Sequence, residues 1–332
     1  MKHLFIATAA LALSFLGSCK PKTQMTEATD NDTIALTSVK FNADSAYASI
    51  VKQCDFGPRV PNTAAHRQCG DWIVARFKSL GLEVIEQKAD LKAWDGTVLK
   101  ARNIIASYRP ETTDRIVLAA HWDSRPWCDA DPDTANHRKP VMAANDGASG
   151  VAVLLEIARL LPQLQTGVGI DFVCFDAEDY GAPYWGEEQS PQDGSDWCLG
   201  SRYWSQHPHK DGYKARYGIL LDMVGGQDAR YRYEGFSMRY ARDIMLRLWD
   251  TAQRVGAGDL FLQEEGGYAT DDHQPMNEIA GIPTVDVIPC LEGAHSFGVT
   301  WHTTNDTPEH ISKKTLNGVG QSVLQMLSEE GA

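Results

Sequence analysis

Short apolar runs alternate with stretches of helical spacing along most of the chain. In Ala64–Leu80 the apolar side chains Trp72, Ile73, Ala75, Phe77 and Leu80 recur at helical intervals, and Gly81 supplies a stop. Leu82–Ala89 and Val98–Tyr108 read as two strands that pair. Arg115–His121, "RIVLAAH", is a continuous apolar run of the kind found in buried parallel strands. Asn145–Leu161 predicts a helix with Val151, Leu154, Leu155, Ala158 and Leu161 on its apolar face, capped by Asn145 or Asp146. The alternation continues with a strand at Gly169–Asp176, a helix at Asp196–Gln206 and a strand at Arg216–Met223. A helix at Ser237–Arg254, a strand at Thr284–Ile288 and a closing helix at Ile311–Leu327 complete it. Tyr180–Trp197, rich in Gly and Trp, reads as an insertion loop. Strands alternating with helices predict an α/β fold: a single domain with a twisted, mostly parallel central sheet and helices on both faces. Neither a repeat nor an interdomain linker interrupts it.

The first residues do not share this pattern. Lys2 and His3 precede an apolar run, Leu4–Leu16, that ends in Leu16-Gly17-Ser18-Cys19. A basic start, a short apolar core and small residues before a break predict an export leader over residues 1–18. The L-G-S-C ending resembles a bacterial lipobox, which implies cleavage before Cys19 and lipidation of its thiol. The alternative is an ordinary leader cut near Ser18. Polar residues 19–37 read as a flexible tether, leaving 38–332 as the folded domain. The expected location is the periplasmic side of a bacterial envelope, on the outer membrane. The lipid is the expected membrane attachment, because no other apolar run is long enough to span.

Charge and cysteines narrow the picture. Among 332 residues the net charge is −13, which argues against a nucleic-acid partner but not against a peptide with a free amino terminus. Beyond Cys19, export permits disulfides among Cys54, Cys69, Cys128, Cys198 and Cys290, with no pairing specified. Cys174, inside an apolar run, is expected to be a buried free thiol.

In open α/β sheets ligands gather at the carboxyl ends of the strands. After "RIVLAA" come His121, Trp122 and Asp123; the next helix opens at Asp146; after "IDFVCF" come Asp176, Glu178 and Asp179. Asp222 follows "YGILL", and His302 precedes the closing helix. Each has a plain alternative: Asp146 as a helix cap, Asp222 as a turn residue, His302 as a hydrogen-bonded loop histidine. Together they place acids and imidazoles on one sheet edge. Carboxylates with histidine and no cysteine are typical of catalytic zinc, which would also stabilise the crowded charge after Phe175. Glu178, next to a ligand but directed elsewhere, is then a free acid/base. Trp301 reads as an exposed wall, and Arg59 and Lys139 as solvated.

These residues resemble the zinc-dependent M28 aminopeptidase superfamily from about Phe56 to the end of the closing helix. Several stretches resemble its glutaminyl cyclase branch: "FGPRVPNTAAHR", "AAHWDS", "SPQDGSDWCLGSRYW", "TDDHQPM" and "TWHTTND". The resemblance implies one Zn²⁺ per chain held by Asp146, Asp179 and His302, with Glu178 as general base and acid. It makes Asp222 and Asp271 an acidic hydrogen-bonding network, with His121 and Asp123 behind it or on a second metal. Trp301 becomes one substrate wall, with Trp185 or Tyr184 on the opposite lip. The chain departs from the animal cyclases in having Asp179 where they carry Glu, and in a longer loop after it. The implied reaction closes an N-terminal glutamine of a peptide or protein to pyroglutamate and releases ammonia. The alternative within the same fold is a two-zinc aminopeptidase using His121, Asp146, Asp179, Asp222 and His302. A third reading is a non-catalytic peptide-binding lipoprotein.

Overall fold

The computed structural model describes residues 35–164, 166–191, 193–290 and 297–330. The expected leader, Cys19 and most of the tether lie outside the described residues. The compact unit spans Leu36–Ala332, and Thr37, at the end of the expected tether, already donates its backbone N–H to Gln325 at 2.8 Å. No described helix is long and apolar enough to cross a membrane.

The chain first forms helices α1 (Ala43–Cys54) and α2 (Ala64–Ser79), whose caps Asn42 and Thr63 accept backbone N–H groups of the first turn. Strands β1 (Glu83–Lys92), β2 (Val98–Tyr108) and β3 (Arg115–His121) precede helix α3 (Ala148–Leu160). Strand β4 (Gly169–Phe175), helix α4 (Leu199–Gln206) and strand β5 (Gly218–Leu221) follow. Strand β6 (Tyr231–Tyr233), helices α5 (Gly235–Tyr240) and α6 (Arg242–Arg254) and strand β7 (Phe261–Glu265) come next, β6 and β7 forming a separate two-stranded sheet. Helix α7 (His273–Glu278), strand β8 (Thr284–Val287) and helix α8 (Lys313–Ser328) close the fold.

The six-stranded sheet runs β1-β2-β4-β3-β5-β8. It is mixed: the β4–β3, β3–β5 and β5–β8 pairs are parallel, whereas β1–β2 and β2–β4 are antiparallel. Strands β3, β4, β5 and β8 are buried along their whole length, which explains their unbroken apolar runs. Alternation divides each between two cores. Ile116, Leu118 and Ala120 face the larger core with α1, α2, α3 and α8, while Val117 and Ala119 face Trp204 and Met276 on the opposite side. Gly150 lets α3 press against the end of β5, since a Cβ there would overlap the Leu221 carbonyl. That approach brings the start of α3 beside the residue after Leu221, Asp222.

Some expected boundaries move for physical reasons. Helix α3 begins at Ala148 with no side-chain cap, so neither Asn145 nor Asp146 serves as one. Asn145 instead accepts the Gly225 N–H at 2.8 Å through its side chain. The long helix expected at Ser237–Arg254 is two, broken where Ala241 leaves helical geometry (φ −138°, ψ 37°). The helix expected from Asp196 starts at Leu199, because Cys198 takes a left-handed conformation (φ 57°). Cys54, Cys69, Cys128, Cys174, Cys198 and Cys290 are all free thiols, so no disulfide joins the described cysteines.

Candidate metal and substrate site

The strand ends converge as the alternation implies, but each acid is directed by a different partner. Asp176, the first acid after β4, turns away from the cleft. It holds His66 Nε2 at 2.8 and 3.0 Å and accepts the backbone N–H groups of Arg102 (2.6 Å) and Ala177 (2.7 Å). His66 also stacks on Trp122 at 4.2 Å. Asp176 is therefore a buried anchor for the strand end. The next residue, Ala177, is left-handed (φ 53°), and this reverses the chain so that Glu178 and Asp179 face the cleft.

Asp123 secures that turn. Its two carboxylate oxygens accept the Glu178 and Asp179 backbone N–H groups at 3.1 and 3.2 Å. With both oxygens engaged, Asp123 supports the site rather than offering a free ligand. Asp306 does the same for the segment before α3, accepting the N–H groups of Asn145 (2.7 Å) and Asp146 (3.0 Å). Arg59, expected to be solvated, is fully buried and donates to the carbonyls of Met142 (2.6 Å) and Ala143 (2.7 Å). It braces the strained approach to Asp146, where Ala143 is also left-handed (φ 60°).

Three side chains meet at the cleft floor. His302 Nε2 lies 3.2 Å from Asp179 Oδ1 and 3.6 Å from Asp146 Oδ2. Ligands about 2.0–2.1 Å from a tetrahedral zinc sit roughly 3.3 Å apart, so this set matches a shared ion. Asp179 Oδ2 is buried without a hydrogen-bond partner, so this carboxylate keeps an unused lone pair, and the three side chains are close enough to hold an ion together. Behind the imidazole, His302 Nδ1 is 3.5 Å from Asp129, which Arg125 grips with two hydrogen bonds of 2.7 and 2.6 Å. That carboxylate orients the ring, as outer partners of metal-binding histidines do.

A second group adjoins the first. His121 Nε2 lies 3.0 Å from Asp146 and 3.1 Å from Asp222. His121, Asp146 and Asp222 are all buried and close enough to hold an ion of their own. Asp222 pairs with His121, and Asp271 stands close enough for its charge to act on the Asp222 carboxyl. Asp271 accepts the Asp272 N–H at 2.5 Å through one oxygen and leaves its other oxygen without a partner. Burial, with Asp146 and Asp271 nearby, pushes the Asp222 carboxyl up to about 7 against the lowering pull of His121.

Glu178 is buried between these groups, with the Cys198 thiol 3.5 Å from Oε1 and His121 Nδ1 3.9 Å from Oε2. Burial, then the charges of Asp179, Asp271 and Asp272, raise its carboxyl well above the ordinary range, opposed by His121. A carboxylate whose affinity for a proton is raised in this way is a stronger base for a proton that it must accept and then return.

The cleft is narrow, about 50 Å³, and is walled by Trp197, Met223, Ile288, Phe297 and Trp301. Trp301 stacks on His302 at 3.8 Å, and Trp197 lies parallel to the same ring at 6.3 Å. Trp197 therefore lines the cleft together with Trp301; sequence reasoning did not single it out, although it stands inside "SPQDGSDWCLGSRYW". Tyr184 lines an adjoining hollow, and Trp185 packs behind it against Trp127 and His137. Asp129 and Asp306 were also missed. Asp129 lies in the long loop after β3 and Asp306 in the loop before α8, and only their partners reveal their roles. The larger hollows, of about 830 and 940 Å³, lie away from these ligands.

Solved proteins with this architecture align with the chain over nearly their whole length. The chain is 51% identical to Bacteroides thetaiotaomicron glutaminyl cyclase, whose structure was solved with N-acetylhistamine bound; 88% of this chain and 99% of that one align with a TM-score of 0.85. It is 50% identical to a Bacteroides thetaiotaomicron protein described as a leucine aminopeptidase precursor, covering 89% and 100% with a TM-score of 0.85. An aminopeptidase of Bacillus subtilis is 28% identical over 82% of this chain, which spans only 54% of that longer protein. The model of peptidase family M28 matches residues 103–327, a span that includes β3 to α8 and every acid and histidine on the cleft floor. The chain therefore belongs to peptidase family M28.

Proposed function

We propose that this protein is a zinc-dependent glutaminyl-peptide cyclotransferase, converting the N-terminal glutamine of peptides and proteins to pyroglutamate with loss of ammonia. The observation that carries this reading is the near end-to-end likeness, at half identity, to a solved bacterial glutaminyl cyclase. Asp146, Asp179 and His302 hold one Zn²⁺, which when bound polarises the side-chain amide of the substrate as a Lewis acid.

The chain's own residues perform the rest. Glu178 takes a proton from the substrate α-amine. The amine nitrogen attacks the side-chain carbonyl carbon and forms the ring C–N bond. Glu178 returns the proton to the departing nitrogen, the original C–N bond breaks, and ammonia leaves. The nucleophile belongs to the substrate, so its proximity is intrinsic and no activated water is required. Asp271 and Asp222 border the same proton path. Trp197 and Trp301 close the cleft around one side chain and restrict water.

A two-zinc aminopeptidase is the second reading, favoured by the His121, Asp146 and Asp222 group and by the aminopeptidase relatives. Purified protein offered Gln-peptides and Leu-peptides side by side separates the two. Ammonia from Gln-peptides is expected. Faster release of free leucine from Leu-peptides, with two zinc ions bound, would overturn the cyclase reading.

The location is part of the proposal. Residues 1–18 act as a leader, Cys19 carries the lipid, residues 19–37 tether the domain of residues 38–332, and the protein faces the periplasm from the outer membrane. Its support is the lipobox-like ending. Labelled fatty acid is expected on the wild-type chain and not on Cys19→Ser; equal labelling of both would sink the idea.

A further inference from the structure

The narrow cleft shares Trp197, Trp301 and His302 with a second hollow of about 240 Å³. The new hollow is also lined by Arg125, Asp129, Tyr184 and Glu187. A peptide with its first side chain in the cleft places its next Cα about 3.8 Å from the first, within reach of that shared wall.

The charges of the hollow do not cancel. Arg125 is 1% exposed and already committed to Asp129, at 2.6 and 2.7 Å, and to the carbonyls of Asp179 (3.1 Å) and Gly181 (3.2 Å). Asp129 is engaged in return. Glu187 is exposed, and among the described residues no cation pairs with it. One negative charge therefore remains at the rim.

Beside it stands an aromatic face fixed from behind. Tyr184 is 55% exposed, yet it packs edge-on against Trp185 at 4.8 Å and its hydroxyl meets His137 Nδ1 at 3.2 Å. Trp185 is itself covered by the Arg138 guanidinium, 4.2 Å from its ring centroid. A large apolar side chain exposed but immobilised in this way costs little entropy when a ligand covers it. An aromatic face next to an unpaired carboxylate suits a cation carried on an alkyl stem.

We propose that this hollow receives the residue following the N-terminal glutamine and selects lysine or arginine there, Glu187 meeting the charge and Tyr184 the stem. The inference rests on the cyclase reading and adds a substrate preference to it. An exposed ion pair and an exposed cation–π contact together correspond to a preference on the order of 5-fold.

The test compares kcat/KM for ammonia release from Gln-Lys, Gln-Leu and Gln-Glu peptides of equal length, using the zinc-loaded full domain. The expected order is Lys above Leu above Glu, with a spread that shrinks in high salt. Glu187→Gln should bring the Lys-to-Leu ratio close to one, and Glu187→Lys should invert the Lys-to-Glu order. Ammonia release without a charge preference, or a preference that Glu187→Gln leaves intact, overturns this inference alone. No ammonia from any Gln-peptide overturns the cyclase reading and takes the inference with it.

Discussion

Asp123→Asn isolates what holds the general base and a metal ligand in register. In the wild-type protein, one carboxylate accepts two backbone N–H groups, from Glu178 at 3.1 Å and Asp179 at 3.2 Å, in a fully buried position. Asparagine keeps one acceptor and turns an NH₂ donor toward the other N–H. A hydrogen bond to a charged acceptor contributes about 1.5–3 kcal/mol, and a stranded buried donor costs about 1–3 kcal/mol. Burying a neutral amide in place of a carboxylate recovers part of that. The net loss is about 2–4 kcal/mol, which at roughly 2 °C per kcal/mol for a domain of this size lowers the Tm by about 4–8 °C. Displacement of the Glu178–Asp179 peptide by even 1 Å costs on the order of 10²-fold in rate. Calorimetry and ammonia release on the same preparation read both effects. If Asp123→Asn melts with the wild type and keeps its kcat, Asp123 is not the brace of this turn.

Three further outcomes follow from the same geometry. Glu178→Gln keeps the shape but not the proton transfer, so turnover should fall about 10²–10⁴-fold while zinc stays bound; loss of zinc would mean that Glu178 is a ligand. His302→Ala leaves two carboxylates facing the ion, so metal content and activity should disappear together, and full zinc occupancy by elemental analysis would remove His302 from the site. Asp171, fully buried, accepts from Arg115 (2.5 and 2.6 Å), Ser107 (2.5 Å) and Tyr213 (2.6 Å). Burial raises its carboxyl, but these donors outweigh it and hold the group below the ordinary range. Because the folded pKa is depressed, the stabilisation is complete above the unfolded value of about 3.9 and is lost as pH falls through the folded one. Asp171→Asn should therefore cost about 3–5 kcal/mol at pH 7 by stranding Arg115. Urea midpoints should show the gap narrowing in acid, and a gap independent of pH would contradict the assignment.

The sequence by itself determined the α/β class, three of the four sheet-centre runs nearly to the residue, and the strand ends from which the acids and imidazoles arise. Those features are legible because they depend on local periodicity. Residues Arg115–Ala120, Gly169–Phe175 and Thr284–Val287 are apolar for most of their length because both faces of the strands are covered. Helix α1 escaped notice because only Ala46, Ile50 and Gln53 of its twelve residues are buried, too sparse a stripe to register. The short pair β6 and β7 likewise presents no run long enough to stand out.

Only the tertiary structure decided where each acid points. Asp176, Glu178 and Asp179 are near neighbours in sequence, yet one braces His66, one stands free beside Cys198, and one joins His302. A carboxylate turns toward whichever donors reach it, and here those donors come from α2, the residue before α4 and the loop before α8. The same reason separates Asp146 from a helix cap, buries Arg59 beneath the carbonyls of Met142 and Ala143, and brings Trp197 to the cleft beside His302. Side-chain direction is set by partners distant in sequence, and spacing along the chain carries no record of them.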